Sequence, residues 1–505
     1  MFAQKIWVVP SLQRVGQTDS PGSQIQAELW AARGEYESFQ IVTQAPNSGL
    51  TISSVAVSDL TGPGGQVISN SNVTLYREYY VYIGPKSVSP NWEGSNQPLG
   101  AGWYPDGLIP LVNPATGAPI SGATLTALPY NLSAGTDQPF WVDVFVPRTA
   151  EPGLYTGTYT VTTNEGSVSG QIALNVWNFT LPVQPSLKSS FGIWNSFNMA
   201  TYETLLANRL MPDYGSPYPS KQEQTTLMNS FGLNAADLGF FSGASYGDCK
   251  MSTAPSVASI KAAAAAQQTG LLLYDFSADE IDGCTNLFSD VKEWARNLHA
   301  AGIDNLVTMG PTPDLFDDGT GTGRSAVDIW VVLPDTYNTD LGNVQLALQK
   351  GDQVWSYNTE VQDAYSPKWE IDFAPINFRI QPGFINQSLN LTGLLYWEVD
   401  RWSSNPWNNV ILHDGGSTFP GDGELVYPGS TVGITGVAPS MRLKWLRDGV
   451  DDYDYVQLLK QAGYGSWAMQ IVEGVAPDWT HWTRDINALE EARIELGQML
   501  SSLSK

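Results

Sequence analysis

The sequence predicts two parts of different architecture, an N-terminal β-sandwich over residues 1–185 and a (β/α)8 TIM-like barrel with extra C-terminal helices over residues 186–505. Three observations lead to this prediction. Apolar residues alternate with period two in the first part, Pro182 and Pro185 mark a linker, and short apolar runs alternate with helical stretches after Leu187. Period two is typical of half-buried strands, whereas short buried strands separated by helices indicate a parallel sheet.

The first part contains seven candidate strands, bounded by clusters of Gly, Pro, Asn and Asp, and no convincing helix. The strands are expected at Gln24–Trp30, Glu37–Gln44, Leu50–Leu60, Val73–Ile83, Phe140–Val146, Tyr155–Thr163 and Gln171–Phe179. Such a series of short antiparallel strands is typical of a β-sandwich.

The second part contains seven short apolar runs, and a weaker one at Arg209–Met211 gives the eight strands that a barrel needs. The seven runs are Phe191–Trp194, Leu238–Phe241, Leu271–Tyr274, Asn305–Met309, Val327–Val332, Gln353–Tyr357 and Gly393–Glu398. Helices are expected at Gln222–Phe231, Ser256–Gln268, Leu287–Ala301, Pro375–Gln387, Met441–Lys460 and Asn487–Leu503. We expect Met441–Lys460 to close the outer ring of the barrel.

The charge balance excludes two classes of partner. The chain has 50 Asp plus Glu against 25 Lys plus Arg, a net charge of −25. Nucleic-acid binding and docking on anionic lipid both need a basic surface, so neither is expected. No apolar run is long enough to insert in a membrane. Low Lys content with abundant Ser, Thr, Asn and Gly suggests a secreted, periplasmic or extracellular protein whose signal peptide is absent from this chain.

The composition favours carbohydrate as the ligand. Charged residues make up only 15% of the chain, which nevertheless has 18 Trp, 22 Tyr and 17 Phe. Aromatic rings stack on the apolar face of a sugar, and neutral polar groups bind its hydroxyls. The histidines His299, His413 and His481 are far apart, so neither a metal site nor a Ser-His-Asp triad is expected. We predict no cofactor and no metal, and we expect carboxylates to carry any catalysis.

Two adjacent carboxylates, Asp279 and Glu280, follow the fourth predicted strand, at the end where a barrel of this kind places its active site. Neighbouring side chains on a strand point to opposite faces, so both can reach one ligand only if the backbone leaves the strand geometry there. A like-charged neighbour and aromatic walls would raise the pKa of a general acid at this position. In the alternative interpretation, Asp279 caps the next helix and Glu280 is solvated.

Other strand ends carry aromatic and polar residues that would form a cup for one pyranose ring. The candidate substrate-binding residues are Trp194, Trp330, Trp355, Tyr357, Asn358, Tyr396, Trp397 and Trp402. Tyr357 or Asn358 would supply hydrogen-bond donors, although each Trp alone is also explained as a core residue. The remaining carboxylates are Glu360 and Glu398, and either is also a candidate ion-pair partner, for example to Arg401.

Several segments resemble glycoside hydrolase family 123 and its relatives, the β-N-acetylgalactosaminidases. Leu394–Trp402 (LLYWEVDRW), Gly421–Gly429 (GDGELVYPG) and Pro439–Tyr455 (PSMRLKWLRDGVDDYDY) resemble the family's catalytic region. Arg33–Gln40 and Val146–Tyr159 resemble its N-terminal sandwich.

The resemblance implies a retaining exo-hydrolase that releases terminal β-linked N-acetylgalactosamine from a glycan or glycoconjugate, or a hexosaminidase of close specificity. The substrate's own 2-acetamido group would be the nucleophile, through an oxazolinium intermediate. Asp279 would orient the acetamido N–H, and Glu280 would protonate the leaving oxygen and then activate water. Tyr357 is the candidate donor to the acetamido oxygen. The pocket would be lined by Trp330, Trp355, Trp397 and Trp402.

Within this resemblance, Cys249 and Cys284 fall in loops after the third and fourth strands, so we predict a disulfide, with two unpaired thiols as the alternative. Two other functions are considered. In the first, Glu280 is the acid and Glu360 a covalent nucleophile on a substrate without an acetamido group. In the second, the protein is a non-catalytic glycan-binding surface protein that uses only the aromatic cup.

Overall fold

The structure is a computed structural model of the chain, and it describes residues 4–85, 94–213, 218–360, 363–414 and 417–504. The N-terminal part forms two β-sheets, and the C-terminal part forms an eight-stranded parallel sheet surrounded by helices. In the described ranges, no helix is long and apolar enough to cross a lipid bilayer.

Among the described residues, twelve strands make up the two N-terminal sheets. They are β1 (Lys5–Pro10), β2 (Gln26–Arg33), β3 (Tyr36–Gln44), β4 (Leu50–Val57), β5 (Leu60–Thr61), β6 (Val67–Ile68), β7 (Val73–Ile83), β8 (Gly102–Pro110), β9 (Tyr130–Leu132), β10 (Asp137–Phe145), β11 (Gly153–Thr163) and β12 (Gly166–Thr180). The first sheet has the order β1-β3-β10-β7-β8, and the second has β2-β12-β11-β4-β9 with β5 and β6 beside β11. Strands pair antiparallel throughout these sheets, except that β12 and β2 are parallel.

The two sheets share one apolar cluster. Ile41 and Phe140 reach it from the first sheet, and Ile52, Val161 and Leu174 reach it from the second. All five side chains are fully buried. Because alternate residues of each strand point into this cluster, the period-two pattern of the sequence has a direct structural cause.

The parallel strands form a nearly closed barrel. They are β13 (Lys188–Gly192), β14 (Pro212–Asp213), β15 (Ala235–Asp237), β16 (Leu272–Ala278), β17 (Asp304–Thr308), β18 (Ile329–Val332), β19 (Gln353–Asn358) and β20 (Gly393–Tyr396). Their order is β14-β13-β20-β19-β18-β17-β16-β15, so the gap lies between β14 and β15.

Two barrel strands differ from the sequence prediction. The second strand follows the predicted run Arg209–Met211 instead of coinciding with it, since Arg209 has a left-handed backbone with φ 62°. The third strand, β15, precedes the predicted run Leu238–Phe241, because Gly239 at φ 76° ends the extended conformation.

In the part of the chain that the structure describes, eleven α-helices accompany these strands. They are α1 (Met199–Ala207), α2 (Lys221–Thr226), α3 (Val257–Ala266), α4 (Phe288–Ala301), α5 (Pro334–Thr339), α6 (Leu341–Lys350), α7 (Ile376–Ile380), α8 (Asn386–Ser388), α9 (Met441–Gln461), α10 (Gly465–Val475) and α11 (Ile486–Leu503). Two short antiparallel pairs precede α9: β21 (Ile411–Asp414) with β22 (Ser417–Pro420), and β23 (Val426–Pro428) with β24 (Val437–Pro439).

Helix α9 is almost wholly buried, although it carries charges of both signs. Arg442 donates to both carboxylate oxygens of Asp106 in β8, at 2.8 and 2.9 Å. Lys444 and Arg447 both bind Asp143 of β10, at 2.7 and 3.2 Å. Buried charges are tolerated when they are paired and hydrogen-bonded, so these contacts attach α9 to the first sheet.

The acidic residues of α9 face the barrel. Asp451 binds Arg209 at 2.6 Å, and Asp452 binds Arg379 of α7 at 2.7 Å. Helix α9 therefore packs on the outside of the barrel, beside α7, and also against the N-terminal sheets, with ion-pair partners in both. The charged sequence that resembles the family block thus holds the two parts together.

Candidate active site

The acidic pair stands where the strand geometry ends. Strand β16 stops at Ala278, and its ladder with β17 shifts in register between Phe276 and Ala278. Glu280 has a left-handed backbone, with φ 48°, which is uncommon for a residue other than glycine. The backbone departure that would let Asp279 and Glu280 face one ligand is therefore present. The N-cap of the next helical turn is Cys284, so Asp279 does not serve as its cap.

Thr308, at the end of β17, holds both residues of the pair. Its hydroxyl donates to Asp279 Oδ1 at 2.6 Å and accepts the N–H of Glu280, also at 2.6 Å. Tyr357, from β19 across the barrel, donates its hydroxyl to Glu280 Oε1 at 2.6 Å. Each carboxyl therefore has a hydroxyl donor that fixes its orientation.

Burial raises the pKa of both carboxyls above their ordinary values. At Glu280, the hydrogen bond from Tyr357 lowers the pKa and the charge of Asp279 raises it, but burial is the largest cause. At Asp279, the hydrogen bond from Thr308 opposes the effect of burial. Glu280 therefore keeps its proton to a higher pH than a solvated glutamate, as a general acid needs.

A cavity of about 180 Å³ opens beside the acidic pair, at the carboxyl end of the barrel strands. Its walls include Glu280, Asp282, Tyr357, Met309 and Tyr246. Larger cavities, of about 280 and 500 Å³, lie between the N-terminal sheets and the C-terminal helices, away from the pair. The cavity beside Glu280 has the location that barrel enzymes use for their substrates.

Cys249 and Cys284 form a disulfide, with 5.2 Å between their Cα atoms. It joins the loop after β15 to the segment that follows Glu280. Asn286 reinforces the link by donating its amide N–H to the carbonyl oxygen of Cys249 at 3.1 Å.

Two of the predicted sugar-binding tryptophans belong to the core. Trp330 is fully buried, and its indole donates to Asp352 at 3.1 Å. Trp355 is also fully buried and packs edge-on against Tyr274. Trp355 lies two residues before Tyr357 on the same face of β19, hence one layer deeper in the barrel. Neither ring lines the cavity in this structure, so the prediction that they form part of the cup is corrected.

Asn358 is likewise placed inside the protein. Its amide N–H groups donate to the carbonyl oxygen of Pro367 at 2.8 Å and to Gln381 Oε1 at 2.9 Å. With both donors used and the side chain buried, Asn358 supports the end of β19 and is not free to donate to a sugar hydroxyl.

The other predicted aromatics cluster after β20 and β13. Asp422 accepts hydrogen bonds from the Tyr396 hydroxyl at 3.1 Å and from the Trp397 indole at 3.2 Å. Trp194 is 61% exposed and packs edge-on against Trp397, with ring centroids 6.0 Å apart. Trp402 is partly buried and donates to the Val426 carbonyl at 2.8 Å. The order of the barrel strands places this cluster across the mouth from Glu280.

Asp422 is a buried carboxyl beside this aromatic cluster, and no strand end or carboxylate pair in the sequence points to it. Burial, followed by the charge of Glu360, raises its pKa to about 7. Burial and the charge of Asp400 likewise raise the pKa of Glu398 to about 7. The charge of Glu360 also raises the pKa of Glu370, whereas the carboxylate that acts on Glu280 is Asp279. The charge of Glu360 therefore acts on Asp422 and Glu370, and Glu280 is not among the groups whose pKa it shifts.

Among the residues that the structure describes, no group of three or more His, Cys, Asp or Glu side chains is arranged to hold a metal ion. The arrangement around Asp279 and Glu280 is suited to proton transfer by carboxyl groups.

Two family models match segments of the chain, one in each part. The model described as the glycoside hydrolase 123 N-terminal domain matches residues 14–163, and that described as the glycoside hydrolase 123 catalytic domain matches residues 325–459. Together they match more than half of the chain. The chain belongs to glycoside hydrolase family 123. Membership of family 123 supports glycoside hydrolase activity on glycan substrates. Asp279 and Glu280 lie outside both matched ranges.

Solved structures agree with this membership at the level of the fold. This family 123 chain is similar to a family 123 glycoside hydrolase from Clostridium perfringens, whose structural analysis concerned glycolipid glycan hydrolysis. The TM-score is 0.66 and the identity 13%, over 99% of this chain and 98% of that one. β-Glucuronidase 3 from Bacteroides uniformis matches at a TM-score of 0.29 and 8% identity, over 83% of this chain and 50% of that one. No curated protein matches the sequence.

Proposed function

We propose that this family 123 protein is a retaining exo-β-N-acetylgalactosaminidase whose nucleophile is the 2-acetamido group of the substrate. The observation that carries the proposal is the Asp279–Glu280 pair, held by Thr308 and Tyr357 beside a cavity at the barrel mouth. An acid and an adjacent carboxylate suit substrate-assisted hydrolysis, which needs no carboxylate nucleophile on the enzyme.

In the first step, protonated Glu280 donates its proton to the glycosidic oxygen while the acetamido oxygen attacks the anomeric carbon. The leaving group departs and an oxazolinium ion forms. Asp279 accepts a hydrogen bond from the acetamido N–H, and its negative charge stabilises the positive charge that develops. In the second step, the Glu280 carboxylate takes a proton from a water molecule as the water oxygen attacks the anomeric carbon. The oxazolinium ring opens, the acetamido group is restored, and the product keeps the anomeric configuration of the substrate.

Tyr357 links substrate binding to the protonation of Glu280. In the free enzyme its hydroxyl donates to Glu280, and this bond lowers the pKa of that carboxyl. In the proposed complex the hydroxyl turns to the acetamido oxygen. Loss of its bond to Glu280 then raises the pKa of Glu280 and favours the protonated acid that the first step requires.

The surroundings of the pair support the rest of the proposal. Trp194 and Trp397 present aromatic surface across the mouth, suited to one face of a sugar ring. The proposal includes a sandwich over residues 1–185, a catalytic barrel over residues 186–505 and a location outside the cytosol. The disulfide between Cys249 and Cys284 supports that location, since such bonds persist in oxidising compartments.

Substrate comparison tests the mechanism. We expect nitrophenyl 2-acetamido-2-deoxy-β-galactoside to be hydrolysed with a kcat/KM at least about 10²-fold above that of nitrophenyl β-galactoside, because only the first contains the internal nucleophile. Equal rates would contradict acetamido participation. Labelling of Glu360 by a fluorinated glycoside would favour the two-carboxylate mechanism, and sugar binding without turnover would favour a glycan-binding protein.

Thr308→Val is expected to lower kcat by about 10²-fold with little change in KM, because it removes the hydroxyl that positions both members of the pair. Thr308→Ser keeps the hydroxyl and should restore most of the rate. The Val variant should also raise the pKa of Asp279, which shifts the pH profile of kcat. Steady-state kinetics of both variants is the measurement. Equal losses of kcat in Thr308→Val and Thr308→Ser would show that the Thr308 hydroxyl is not what positions the pair.

A further inference from the structure

We propose that Tyr246 is the binding platform for the leaving group of the substrate, and that this leaving group is a neutral sugar. The inference rests on the proposed function in one respect, that Glu280 is the general acid. Tyr246 is 83% exposed, more than any other large hydrophobic side chain in the described ranges. It lines the same cavity as Glu280 and Tyr357.

The loop that carries Tyr246 is fixed at both ends. At its start, Ala244 forms a parallel bridge with Ala278, and the Ala244 carbonyl accepts the N–H of Asp279 at 3.0 Å. At its end, Cys249 is bonded to Cys284. The loop is therefore attached on both sides to the segment that bears the acidic pair.

The tip of the loop is a tight turn. Ser245 and Asp248 pair across it in an antiparallel bridge, and Gly247 has the left-handed φ of 80° that the turn needs. Tyr246 projects from this turn into solvent. An aromatic side chain on an already ordered backbone loses little conformational entropy when a ligand stacks on it, so it favours binding.

The position of the loop distinguishes the leaving group from the sugar that is cleaved off. Strand β15 is the neighbour of β16, so Tyr246 approaches Glu280 from the adjacent strand end, whereas Tyr357 reaches Glu280 from β19, three strands away. The sugar that reacts lies over the barrel mouth, between Glu280 and the aromatics beyond β20. The glycosidic oxygen is at Glu280, and the group attached to it extends outward, towards the exposed ring of Tyr246.

The chemistry of the platform favours a neutral pyranose. A phenol ring offers an apolar face for the C–H groups of a sugar and a hydroxyl for one of its polar groups. The neighbouring charges on the loop, Asp248 and Lys250, lie 3.2 Å apart and pair with each other, so the loop has no net charge to attract an ionic group. An alkyl aglycone would use the ring but not the hydroxyl.

The test compares substrates that differ only in the leaving group. For Tyr246→Ala, we expect kcat/KM on a disaccharide of β-N-acetylgalactosamine and galactose to fall about 3- to 10-fold, mainly through KM. On 2-acetamido-2-deoxy-β-galactosyl fluoride, whose leaving group is too small to stack, the same variant should match the wild type. Tyr246→Phe should retain most of the stacking, and Tyr82→Ala, which removes an exposed aromatic on β7, is the control.

Equal losses on the disaccharide and the fluoride, or no loss on the disaccharide, would overturn the proposal. An equal loss on an octyl glycoside would overturn the assignment of a sugar in favour of an apolar aglycone. If the wild type hydrolyses none of these substrates, the proposed function fails. Saturation-transfer NMR of the disaccharide then tests Tyr246 separately, because unchanged binding to Tyr246→Ala would rule out the platform.

Discussion

Replacement of Glu280 by glutamine is expected to lower kcat by about 10³-fold on a disaccharide of β-N-acetylgalactosamine and galactose, because a sugar leaving group must be protonated as it departs. Glutamine keeps the shape of the side chain and an oxygen that can accept the Tyr357 hydroxyl, but it has no acidic proton to give to the leaving oxygen. KM should change little, since the variant leaves the walls of the cavity intact. Steady-state kinetics on the purified variant, with the exposed Glu495→Gln of α11 as control, provides the measurement.

The pH profile identifies the proton that is transferred. The active form of the acid is protonated, so kcat/KM falls as the pH rises through the pKa of Glu280. Burial raises that pKa, so the fall begins at a higher pH than for a solvated glutamate. In Glu280→Gln this alkaline limb should disappear. A rate within tenfold of the wild type, or an unchanged alkaline limb, would show that another group is the acid.

Replacement of Arg442 by methionine is expected to reduce the free energy of unfolding by about 3–5 kcal/mol. The guanidinium is fully buried and binds both oxygens of Asp106, the carbonyl of Gly421 at 2.7 Å and the carbonyl of Glu424. Methionine fills similar space but removes the guanidinium that pairs with the buried carboxylate of Asp106, which then keeps the hydrogen bond from the Tyr427 hydroxyl at 2.6 Å. Urea denaturation followed by tryptophan fluorescence gives the change.

A double variant separates the lost ion pair from lost packing. Asp106→Leu with Arg442→Met removes both charges, so it should recover part of the stability that Arg442→Met loses. Lys250→Met breaks an exposed pair with Asp248 and should cost no more than about 1 kcal/mol. A loss below about 1 kcal/mol in Arg442→Met would contradict the role of this ion pair.

The barrel and most strands were predictable from periodicity, because period two and alternating helices follow directly from which faces are buried. Strand β8 was not predicted, because Gly102, Pro105, Gly107 and Pro110 interrupt its apolar pattern. In the structure, its pairing with β7 holds it in the first sheet. Such pairing is a relation between distant residues, which a local pattern does not contain.

For the site, the position of Asp279 and Glu280 after a strand was sufficient to find them, whereas the contacts that hold them were not. Thr308 belongs to the next strand, and its role depends on a shift in ladder register. Trp330 and Trp355 were misassigned to the cup for two different reasons. Val331 lines the cavity, so its neighbour Trp330 points to the other face of β18, and Trp355 lies one layer deeper in the barrel than Tyr357. Tyr246 lay outside every periodic element and so gave no signal.

The position of α9 between the two parts also determines when the protein becomes complete during synthesis. The Trp445 indole donates to the carbonyl of Ser11, 434 positions earlier in the chain. Asp106 and Asp143 emerge from the ribosome long before Arg442 and Arg447, their buried cations. Closing such long loops carries a large entropic cost, and unpaired carboxylates resist burial. We therefore expect the first sheet to reach its final packing only after α9 has been translated, because its buried carboxylates lack their cations until then.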